Sequence, residues 1–346
     1  MSVAADPESL GYVGSPLLLQ AIAASVQDLE TRPARLAVGV SGGPDSAMLA
    51  VHAAQWAKSQ GVELHVFHIH HGLQASADSW QAQVHELAQR LRLPCHSMRV
   101  QVDLTQGTGT EAGARDARYA ALAQLSRMMD VRHILLAHHQ DDQAETVLLR
   151  LLRGSGPGGL AAMAPTSRRD GVTYARPWLD QPRAAILEQA SRFHEATGWR
   201  AVDDPSNADD RYTRSALRER LAPVLSQRWP GWQRVLARHA RQSAQADRVL
   251  QEVAAQDFSS LDPQDDGRSF SLKAWRGLSQ DRQALVLRYW LARHGTRMPT
   301  QARLDDWMKQ LRELHALGHD RHMQVKHGRV WLRCRKGRVI LDDSDG

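Results

Sequence analysis

The sequence contains only two cysteines, Cys95 and Cys334, which lie far apart and in no CxxC pair. A disulfide framework, a zinc ribbon and a cysteine-held iron–sulfur cluster are therefore not expected. No apolar run reaches the length of about 18 residues that a membrane-spanning helix needs. Residues 1–14 carry two acidic residues and no basic one, which is unlike a secretory signal. These absences predict a cytoplasmic globular protein with reduced cysteines and no membrane partner.

The net charge of +6 is unevenly distributed along the 346 residues. Residues 1–210 hold 18 Lys and Arg against 23 Asp and Glu, a balance of −5, whereas residues 211–346 hold 26 against 15, a balance of +11. Most of these cations are arginines, whose planar group makes bidentate contacts with phosphate. The asymmetry favours chemistry in the front half and a polyanion bound by the back half. A basic surface that serves only solubility explains the charge equally well.

Short apolar runs alternate with longer amphipathic stretches in the front half. Four runs have the composition of strands: residues 35–40, 64–70, 96–102 and 133–138. Helical patterns cover residues 45–60, 77–91, 111–129, 140–152 and 182–197. Strands separated by helices of this length predict right-handed crossovers and a parallel sheet covered on both faces.

From about residue 210 onward the pattern is continuously helical, with candidates at residues 212–225 and 232–255. Near the end, two alternating runs at 330–335 and 338–341 are joined by Lys336-Gly337, which predicts a β-hairpin. The polar segment DPQDDG at residues 262–267 is a plausible boundary. We therefore predict three parts: an α/β catalytic domain at 1–215, a helical connector at 216–260 and a smaller basic α/β domain at 261–346.

The most specific segment is VGVSGGPDS at residues 38–46, which leaves a predicted strand, turns on glycines and enters a helix. It matches neither the GxxxxGK[ST] Walker loop nor the GxGxxG dinucleotide turn. Glycines let backbone N–H groups approach an anion, and the helix start adds its dipole. Hydroxyl groups in the loop can donate to phosphate oxygens. We predict that six residues bind a nucleotide: Ser41, Gly42, Gly43, Pro44, Asp45 and Ser46.

A second segment, HHQDDQAETVLLRLLR at residues 138–153, also follows a predicted strand. It places Asp141, Asp142 and Glu145 within the first turn and a half of a helix. Acidic residues are favoured at helix starts, so capping alone is one explanation. Crowded carboxylates otherwise need a cation, for which Mg²⁺ and an ammonium group are the candidates. Asp45 in the first loop similarly either holds Mg²⁺ on a polyphosphate or caps its helix.

Three further clusters contain histidine or arginine. HIHHGL at residues 68–73 is either a metal site or, better, a polar rim of the nucleotide pocket. Arg115 and Arg118 share one helix face, which is either solvated or directed at phosphates. The segment at 203–220 combines an acidic turn with three arginines at helical spacing, which fits contacts with an RNA backbone. These arginines are Arg211, Arg214 and Arg218.

SGGxDS after a strand resembles the PP-loop of the ATP pyrophosphatase superfamily. Six segments together occur in the order and spacing found in tRNA(Ile)-lysidine synthetases: SGGPDS, HIHHGL, AGARDARY, HHQDDQAETVLLRLLRGSG, RPWL and DPSNADDRYTRSALR. The resemblance spans about residues 35–225 and extends more weakly to the basic end. It implies a Rossmann-like PP-loop domain followed by a tRNA-binding domain.

The resemblance also implies an activity. Members of this family adenylate the C2 oxygen of the wobble cytidine in the CAU anticodon of tRNA(Ile), and the ε-amine of free lysine then displaces AMP. Carried onto this chain, residues 41–46 bind ATP, and Asp142 and Glu145 hold or deprotonate the lysine. Arg115 and Arg214 steady phosphates or substrate. A homodimer is a candidate assembly, which the sequence does not determine.

Two other functions remain as alternatives from the sequence. The first is a PP-loop tRNA thiolase, against which the missing cysteine pair argues. The second is a non-catalytic RNA-binding protein with a decayed ATP site, against which the intact SGGPDS argues.

Overall fold

The computed structural model describes residues 11–70, 72, 77–100, 110–203, 213–314 and 323–343. The chain forms two compact units, Met1–Ser243 and Ala244–Gly346. The division between them falls inside one long helix, Trp232–Ser259. The three-part division with boundaries at 215 and 260 stays a prediction.

A six-stranded sheet forms the centre of the first unit. Its strands are β1 (Arg35–Gly39), β2 (Glu63–His70), β3 (Cys95–Arg99), β4 (His133–Leu135), β5 (Thr166–Arg169) and β6 (Val172–Ala175). They lie in the order β3-β2-β1-β4-β6-β5. Every neighbouring pair is parallel except β5 with β6. The parallel α/β sheet that the sequence predicts is therefore confirmed.

The antiparallel pair β5 and β6 was not expected from the sequence. Each strand has only four residues, and the two are joined by Asp170-Gly171 with φ angles of 52° and 79°. Positive φ at both central residues is the geometry of a two-residue hairpin turn, for which Asp-Gly is a preferred pair. The dipeptide was thus the available signal.

Helices cover both faces of this sheet. They are α1 (Pro16–Gln27), α2 (Pro44–Gln60), α3 (Ala77–Arg90), α4 (Thr110–Met129), α5 (Gln140–Leu151), α6 (Pro157–Leu160) and α7 (Arg183–Thr197). Successive residues of β1 point to opposite faces. Leu36 and Val38 pack in a core with residues of α1, α2, α3 and α7, whereas Ala37 packs with residues of α4.

The remaining helices of the first unit follow α7. Helix α8 (Thr213–Ala216) continues as a π-helical turn, Leu217–Leu221, into α9 (Ala222–Arg228), and α10 (Trp232–Ser259) comes next. The sequence predicted a single helix over residues 212–225. A π-helical turn interrupts that helix, and such turns are frequent at functional sites.

The order of the strands determines where a ligand can bind. From β1 the chain moves to β2 and β3 on one side, and it then returns to β4 on the other side of β1. Ligands of open α/β sheets bind at the carboxyl ends of the strands beside such a switch point. The SGGPDS loop follows β1 and the start of α5 follows β4, so both predicted functional segments lie at this point.

The second unit is built on an antiparallel sheet with the order β7-β10-β9-β8. The strands are β7 (Ser269–Ser271), β8 (Met323–His327), β9 (Val330–Arg335) and β10 (Arg338–Asp343), and the helices are α11 (Leu272–Arg276), α12 (Gln280–Arg293) and α13 (Gln301–Glu313). The predicted hairpin at Lys336-Gly337 joins β9 to β10. Buried tryptophans, Trp275, Trp290 and Trp307, contribute to its core. Within the described ranges, no helix combines the length and apolarity that membrane crossing requires.

Candidate active site

A cavity of about 1160 Å³ opens at the carboxyl ends of β1, β2 and β4 in the first unit. Its walls come from the loop after β1, the end of β2, the start of α5, and side chains between residues 201 and 233. The predicted phosphate loop and the predicted carboxylate cluster therefore face one common space. They are about a hundred residues apart in the sequence, and the parallel sheet brings them together.

The phosphate loop is held by hydrogen bonds between its own residues. The backbone N–H of Ser41 donates to Ser46 Oγ at 3.1 Å, and Ser46 Oγ donates to the carbonyl of Gly43 at 3.1 Å. Helix α2 begins directly after Gly43, with Pro44 in its first turn. Proline is tolerated there because a backbone N–H at this position would have no hydrogen-bond acceptor within the helix. Four of the six predicted nucleotide-binding residues line the cavity, namely Ser41, Gly43, Pro44 and Asp45.

Gly42, within the loop, allows the loop backbone to approach Val202 closely. Its φ angle is +103°, a region that residues with a Cβ rarely adopt. A Cβ at this position would lie 3.0 Å from Val202 Cγ2. The carbonyl of Gly42 also accepts a hydrogen bond from the N–H of Val202 at 2.9 Å. The glycine thus joins the loop to the segment that follows α7.

Asp45 pairs with an arginine that the sequence analysis did not single out. Arg183 donates to both carboxylate oxygens of Asp45, through Nε and Nη2, each at 3.3 Å. The Nε2 atom of His139 lies 3.8 Å from Asp45 Oδ1. Arg183 is the first residue of α7, directly after Pro182, and this position at a helix start was the only signal for it. Among the described residues, no group of three or more His, Cys, Asp or Glu side chains forms a metal site.

The carboxylates at the start of α5 separate into two environments. Asp141 accepts a hydrogen bond from the backbone N–H of Arg183 at 3.0 Å. Asp142 and Glu145 instead face Arg218, which lies in the π-helical turn. Arg218 donates to Glu145 at 2.6 and 2.9 Å and to Asp142 at 3.0 Å. The Nε atom of Arg214 lies 3.2 Å from Glu145 Oε2.

This pairing differs from the sequence interpretation in one respect. Arg214 and Arg218 were predicted to contact RNA, and Asp142 and Glu145 were predicted to need Mg²⁺ or an ammonium group. In the structure these residues satisfy one another's charge. Arg211 and the turn at 204–207 lie outside the described residues.

Asp142 also caps its own helix. The backbone N–H of His139 donates to Asp142 Oδ2 at 3.2 Å, and the backbone N–H of Asp142 donates to His139 Nδ1 at 3.2 Å. This reciprocal arrangement is a capping box, in which a histidine occupies the position usually held by serine or threonine. The predicted start of a helix near Gln140 is confirmed.

The two carboxylates differ in proton affinity. Burial raises the pKa of Glu145, and hydrogen bonds from Arg218 only partly oppose this effect. Burial acts in the same direction on Asp142, but the nearby groups of His139, His138 and the two arginines hold its pKa below the usual value. Of the two, Glu145 is therefore the better proton acceptor.

Arg118, and not Arg115, lines the cavity. Burial lowers the pKa of Arg118, and the neighbouring cations Arg115 and Arg176 add to this effect. A half-buried guanidinium beside other cations is suited to receive an anion. The guanidinium of Arg115 is exposed and lies 5.2 Å from the centre of the Tyr119 ring.

Histidines form another part of the wall. His68 Nδ1 bonds the carbonyl of Val40 at 2.8 Å, and His70 Nε2 lies 2.9 Å from Asp78 Oδ1. His138 is buried deeply enough that its pKa falls to about 3, so it stays neutral at physiological pH. His68 and His70 line the cavity, as a polar rim would, while His71 lies outside the described residues.

Comparison with protein families gives two matches along the chain. A model described as a PP-loop domain matches residues 18–225. A model described as the TilS substrate binding domain matches residues 270–340. Each match lies within one of the two compact units.

Several curated proteins are similar over most of the chain. A tRNA(Ile)-lysidine synthase of Bordetella bronchiseptica is 58% identical over 342 residues, which covers 99% of both chains. That of Bordetella pertussis is 59% identical and covers 93% of this chain and all of its own. That of Polaromonas naphthalenivorans is 40% identical over 85% of this chain and 86% of its own.

Among solved structures, the U34-tRNA thiolase NcsA of Methanococcus maripaludis is similar with a TM-score of 0.53. The two chains share 14% identity, and the match covers 65% of this chain and 76% of the thiolase. At that identity the likeness concerns the fold alone. The loop, the carboxylate cluster facing it, the two family matches and the full-length relatives agree, and the chain belongs to the tRNA(Ile)-lysidine synthase family of PP-loop enzymes.

Proposed function

We propose that this chain ligates lysine to the wobble cytidine of the CAU anticodon of tRNA(Ile), using ATP and releasing AMP and pyrophosphate. The observation that carries the proposal is that the SGGPDS loop and the Asp142–Glu145 pair face one cavity. Its volume of about 1160 Å³ exceeds that of most single-ligand sites, which measure about 300–1000 Å³. The cavity thus has room for a nucleotide and a second reactant.

In the first step, the C2 oxygen of cytidine attacks the α-phosphorus of ATP, and the bond to pyrophosphate breaks. Backbone N–H groups of the loop and the positive end of α2 face the phosphates. Arg118 and Arg183 supply the nearby positive charge that a pentacoordinate phosphoryl group needs. Asp45 would hold Mg²⁺ only after Arg183 released its carboxylate, and the ion would then neutralise charge on the leaving pyrophosphate.

In the second step, the lysine ε-nitrogen attacks C2, a C–N bond forms, and AMP leaves. The amine must first lose a proton, and Glu145 is the better acceptor of the two carboxylates because its pKa is the higher. We propose that the lysine ammonium replaces the guanidinium of Arg218 at these carboxylates. Arg218 would then be free to face a phosphate of the RNA or of AMP. This exchange reconciles the ion pairs with the roles that the family resemblance implies.

The second unit is proposed to bind the tRNA. Its family match is to a substrate binding domain, and residues 244–346 hold 18 Lys and Arg against 14 Asp and Glu, a balance of +4. The other +7 of the basic back half lies in residues 211–243, which belong to the first unit. Cations release condensed counterions when they contact phosphates, so this charge favours a polyanion. We further propose that the protein works in the cytoplasm. A homodimer remains a candidate assembly, which light scattering would test.

The chemistry of the cysteines argues against the thiolase alternative. Cys95 lies in β3, and burial raises its pKa to about 11, so it is a thiol and a poor nucleophile at neutral pH. Burial also raises the pKa of Cys334 in β9. Sulfur transfer through a cysteine thiolate is therefore disfavoured at both residues.

The test incubates the protein with ATP, radiolabelled lysine and a tRNA(Ile) transcript bearing the CAU anticodon. Label should enter the RNA, with one AMP and one pyrophosphate formed for each lysine attached. A transcript with a UAU anticodon is the matched control, since it lacks the target cytidine. Formation of ADP and phosphate as tRNA-dependent products would contradict the proposal.

A further inference from the structure

Trp229 is the one exposed tryptophan among the ten in the chain, all of which the structure describes. Its side chain is 58% exposed, whereas the other nine are buried or half-buried. Large aromatic side chains are normally covered, so one left open to solvent is a candidate binding feature.

The turn that carries Trp229 is well defined. Pro230 follows it, and Gly231 adopts a φ angle of 80°. The N–H of Trp229 donates to the carbonyl of Leu225 at 2.7 Å, and the N–H of Trp232 donates to the carbonyl of Trp229 at 3.1 Å. The indole is thus presented from a backbone held on both sides, which lowers the entropy cost of using it as a contact.

The turn lies next to the cavity. Trp232, three residues further on, lines the cavity, and its indole N–H donates to Ser226 Oγ at 3.1 Å. Trp229 and Trp232 share the backbone hydrogen bond that closes the turn. Trp229 therefore lies three residues before a residue of the cavity wall, while its own side chain is not part of that wall.

The guanidinium of Arg228 lies close to the indole ring of Trp229. Arg228 Cζ lies 5.7 Å from the centre of the Trp229 ring. Unpaired nucleobases stack on aromatic rings and on arginine planes, and neighbouring arginine charge attracts the phosphate backbone. An apolar surface of a partner protein would gain little from the charge of Arg228. The combination of Trp229 and Arg228 therefore suits RNA better than an apolar protein surface.

We propose that Trp229, flanked by Arg228, is a stacking platform for an unpaired nucleobase of the RNA substrate, next to the cytidine that enters the cavity. This inference rests on the proposed function, because it takes the cavity as the site of the target cytidine. Stacking of a neighbouring base holds the loop open and limits the positions that the target base can adopt. Trp229 is then a positioning residue, since it does not touch the reacting atoms.

The experiment compares three variants of the full chain: Trp229→Ala, Trp229→Phe and Trp229→Leu. Affinity for an anticodon stem-loop RNA is measured by fluorescence anisotropy. Stacking predicts that Ala and Leu raise the Kd by roughly tenfold to a hundredfold, while Phe keeps most of the affinity. Leu matches much of the apolar area without a π-face, so wild-type affinity in Trp229→Leu would overturn the proposal in favour of an apolar contact. Melting curves should be unchanged because the side chain is exposed.

A second measurement identifies the base. Each loop nucleotide other than the target cytidine is replaced in turn by an abasic nucleotide, with wild type and Trp229→Ala measured in parallel. At one position the abasic change should weaken wild type and leave Trp229→Ala unaffected, since both changes remove the same interaction. Additive effects at every position would overturn the platform.

The same samples separate this inference from the proposed function. If wild type attaches no lysine to tRNA, the proposed function fails. If wild type attaches lysine but binds the RNA no better than Trp229→Ala, the stacking platform fails while the function stands.

Discussion

The guanidinium of Arg218 lies 2.6 Å from one carboxylate oxygen of Glu145 and 2.9 Å from the other. The two residues are 73 positions apart, and the same guanidinium reaches Asp142 at 3.0 Å. A cation of the chain thus holds the carboxylates that we propose for the substrate amine. Binding of lysine then has to compete with an internal ion pair.

Arg218→Ala should lower the KM for lysine several-fold, because the internal competitor is gone. It should also raise the KM for tRNA if the displaced guanidinium serves a phosphate. Steady-state lysine attachment at varied lysine and tRNA concentrations measures both. Removal of a partly buried ion-pair partner destabilises by up to about 3–5 kcal/mol, so melting curves must accompany the kinetics.

Two control variants accompany Arg218→Ala. Arg238→Ala removes an exposed arginine of the same unit and should leave the KM for lysine unchanged. Glu145→Gln should raise the KM for lysine. It should also remove the part of the pH dependence of the rate that arises from protonation of Glu145. A higher KM for lysine in Arg218→Ala would show that this arginine helps to bind the amino acid.

Arg118→Ala should weaken ATP binding by roughly tenfold to a hundredfold, since a hydrogen bond to a charged group contributes about 1.5–3 kcal/mol. The reason is its place on the cavity wall beside other cations. Isothermal titration with ATP measures the effect. Arg115→Ala is the matched variant on the same helix and should have a smaller effect. The reverse order would support the catalytic role that the family resemblance assigns to Arg115.

Gly42→Ala and Gly43→Ala should separate stability from nucleotide binding. At Gly42 an alanine combines a φ of +103° with a Cβ 3.0 Å from Val202, so unfolding should become easier by about 1–3 kcal/mol. At Gly43 the nearest atom to an added Cβ is Ser41 Oγ at 3.8 Å, so folding should be retained. Gly43 lines the cavity, and its alanine variant should bind ATP more weakly. Urea melts and ATP titrations distinguish the two, and equal destabilisation would contradict the assignment.

His52 should make the protein sensitive to acid. It is fully buried, accepts a hydrogen bond from Ser15 N–H at 3.0 Å, and its Nδ1 bonds the carbonyl of Met48 at 2.8 Å, which suits the neutral ring. Burial lowers its pKa from 6.5 to about 4. The unfolded chain therefore binds the proton more readily, and stability present above pH 6.5 is lost as the pH falls towards 4.

The destabilisation from His52 amounts to about 3 kcal/mol at most. Urea melts between pH 7 and 4.5 measure it, and His52→Gln should reduce the pH dependence because it cannot take up the proton. An identical pH dependence in the variant would show that other buried histidines dominate.

Exposed cations of the second unit should govern the salt dependence of tRNA binding. Arg329→Ala with Arg335→Ala should flatten the slope of log K against log salt, by about 0.7 for each single-strand phosphate that the variant no longer neutralises. Arg127→Ala with Arg153→Ala is the matched pair in the first unit, and all four side chains are exposed. If both pairs flatten the slope equally, the second unit has no special role in holding the RNA.

The local features of the site were predictable from the sequence. The SGGPDS loop, the helix after it and the start of α5 depend on neighbouring residues, through glycine, proline and capping preferences. Their meeting at one sheet edge followed from the parallel topology. The order and type of these elements are therefore encoded in short stretches of chain, where sequence patterns can be interpreted directly.

The partners of the charged residues were not predictable in the same way. Arg183 and Asp45 are 138 positions apart, and Arg218 and Glu145 are 73 apart. Such pairs depend on how α7 and the π-helical turn pack, which no local pattern encodes. Periodicity placed Arg214 and Arg218 on one helix face but could not tell whether that face meets carboxylates or solvent.

The capping box at the start of α5 limits how this enzyme could be redesigned for another amine. Asp142 accepts a hydrogen bond from the backbone N–H of His139 and also contacts Arg218. A substitution of Asp142 therefore alters the helix start together with the binding site. Glu145 has no part in the cap, since it lies one turn further along. Engineering of amine selectivity should therefore begin at residue 145, where the charge can be moved without losing the helix that presents it.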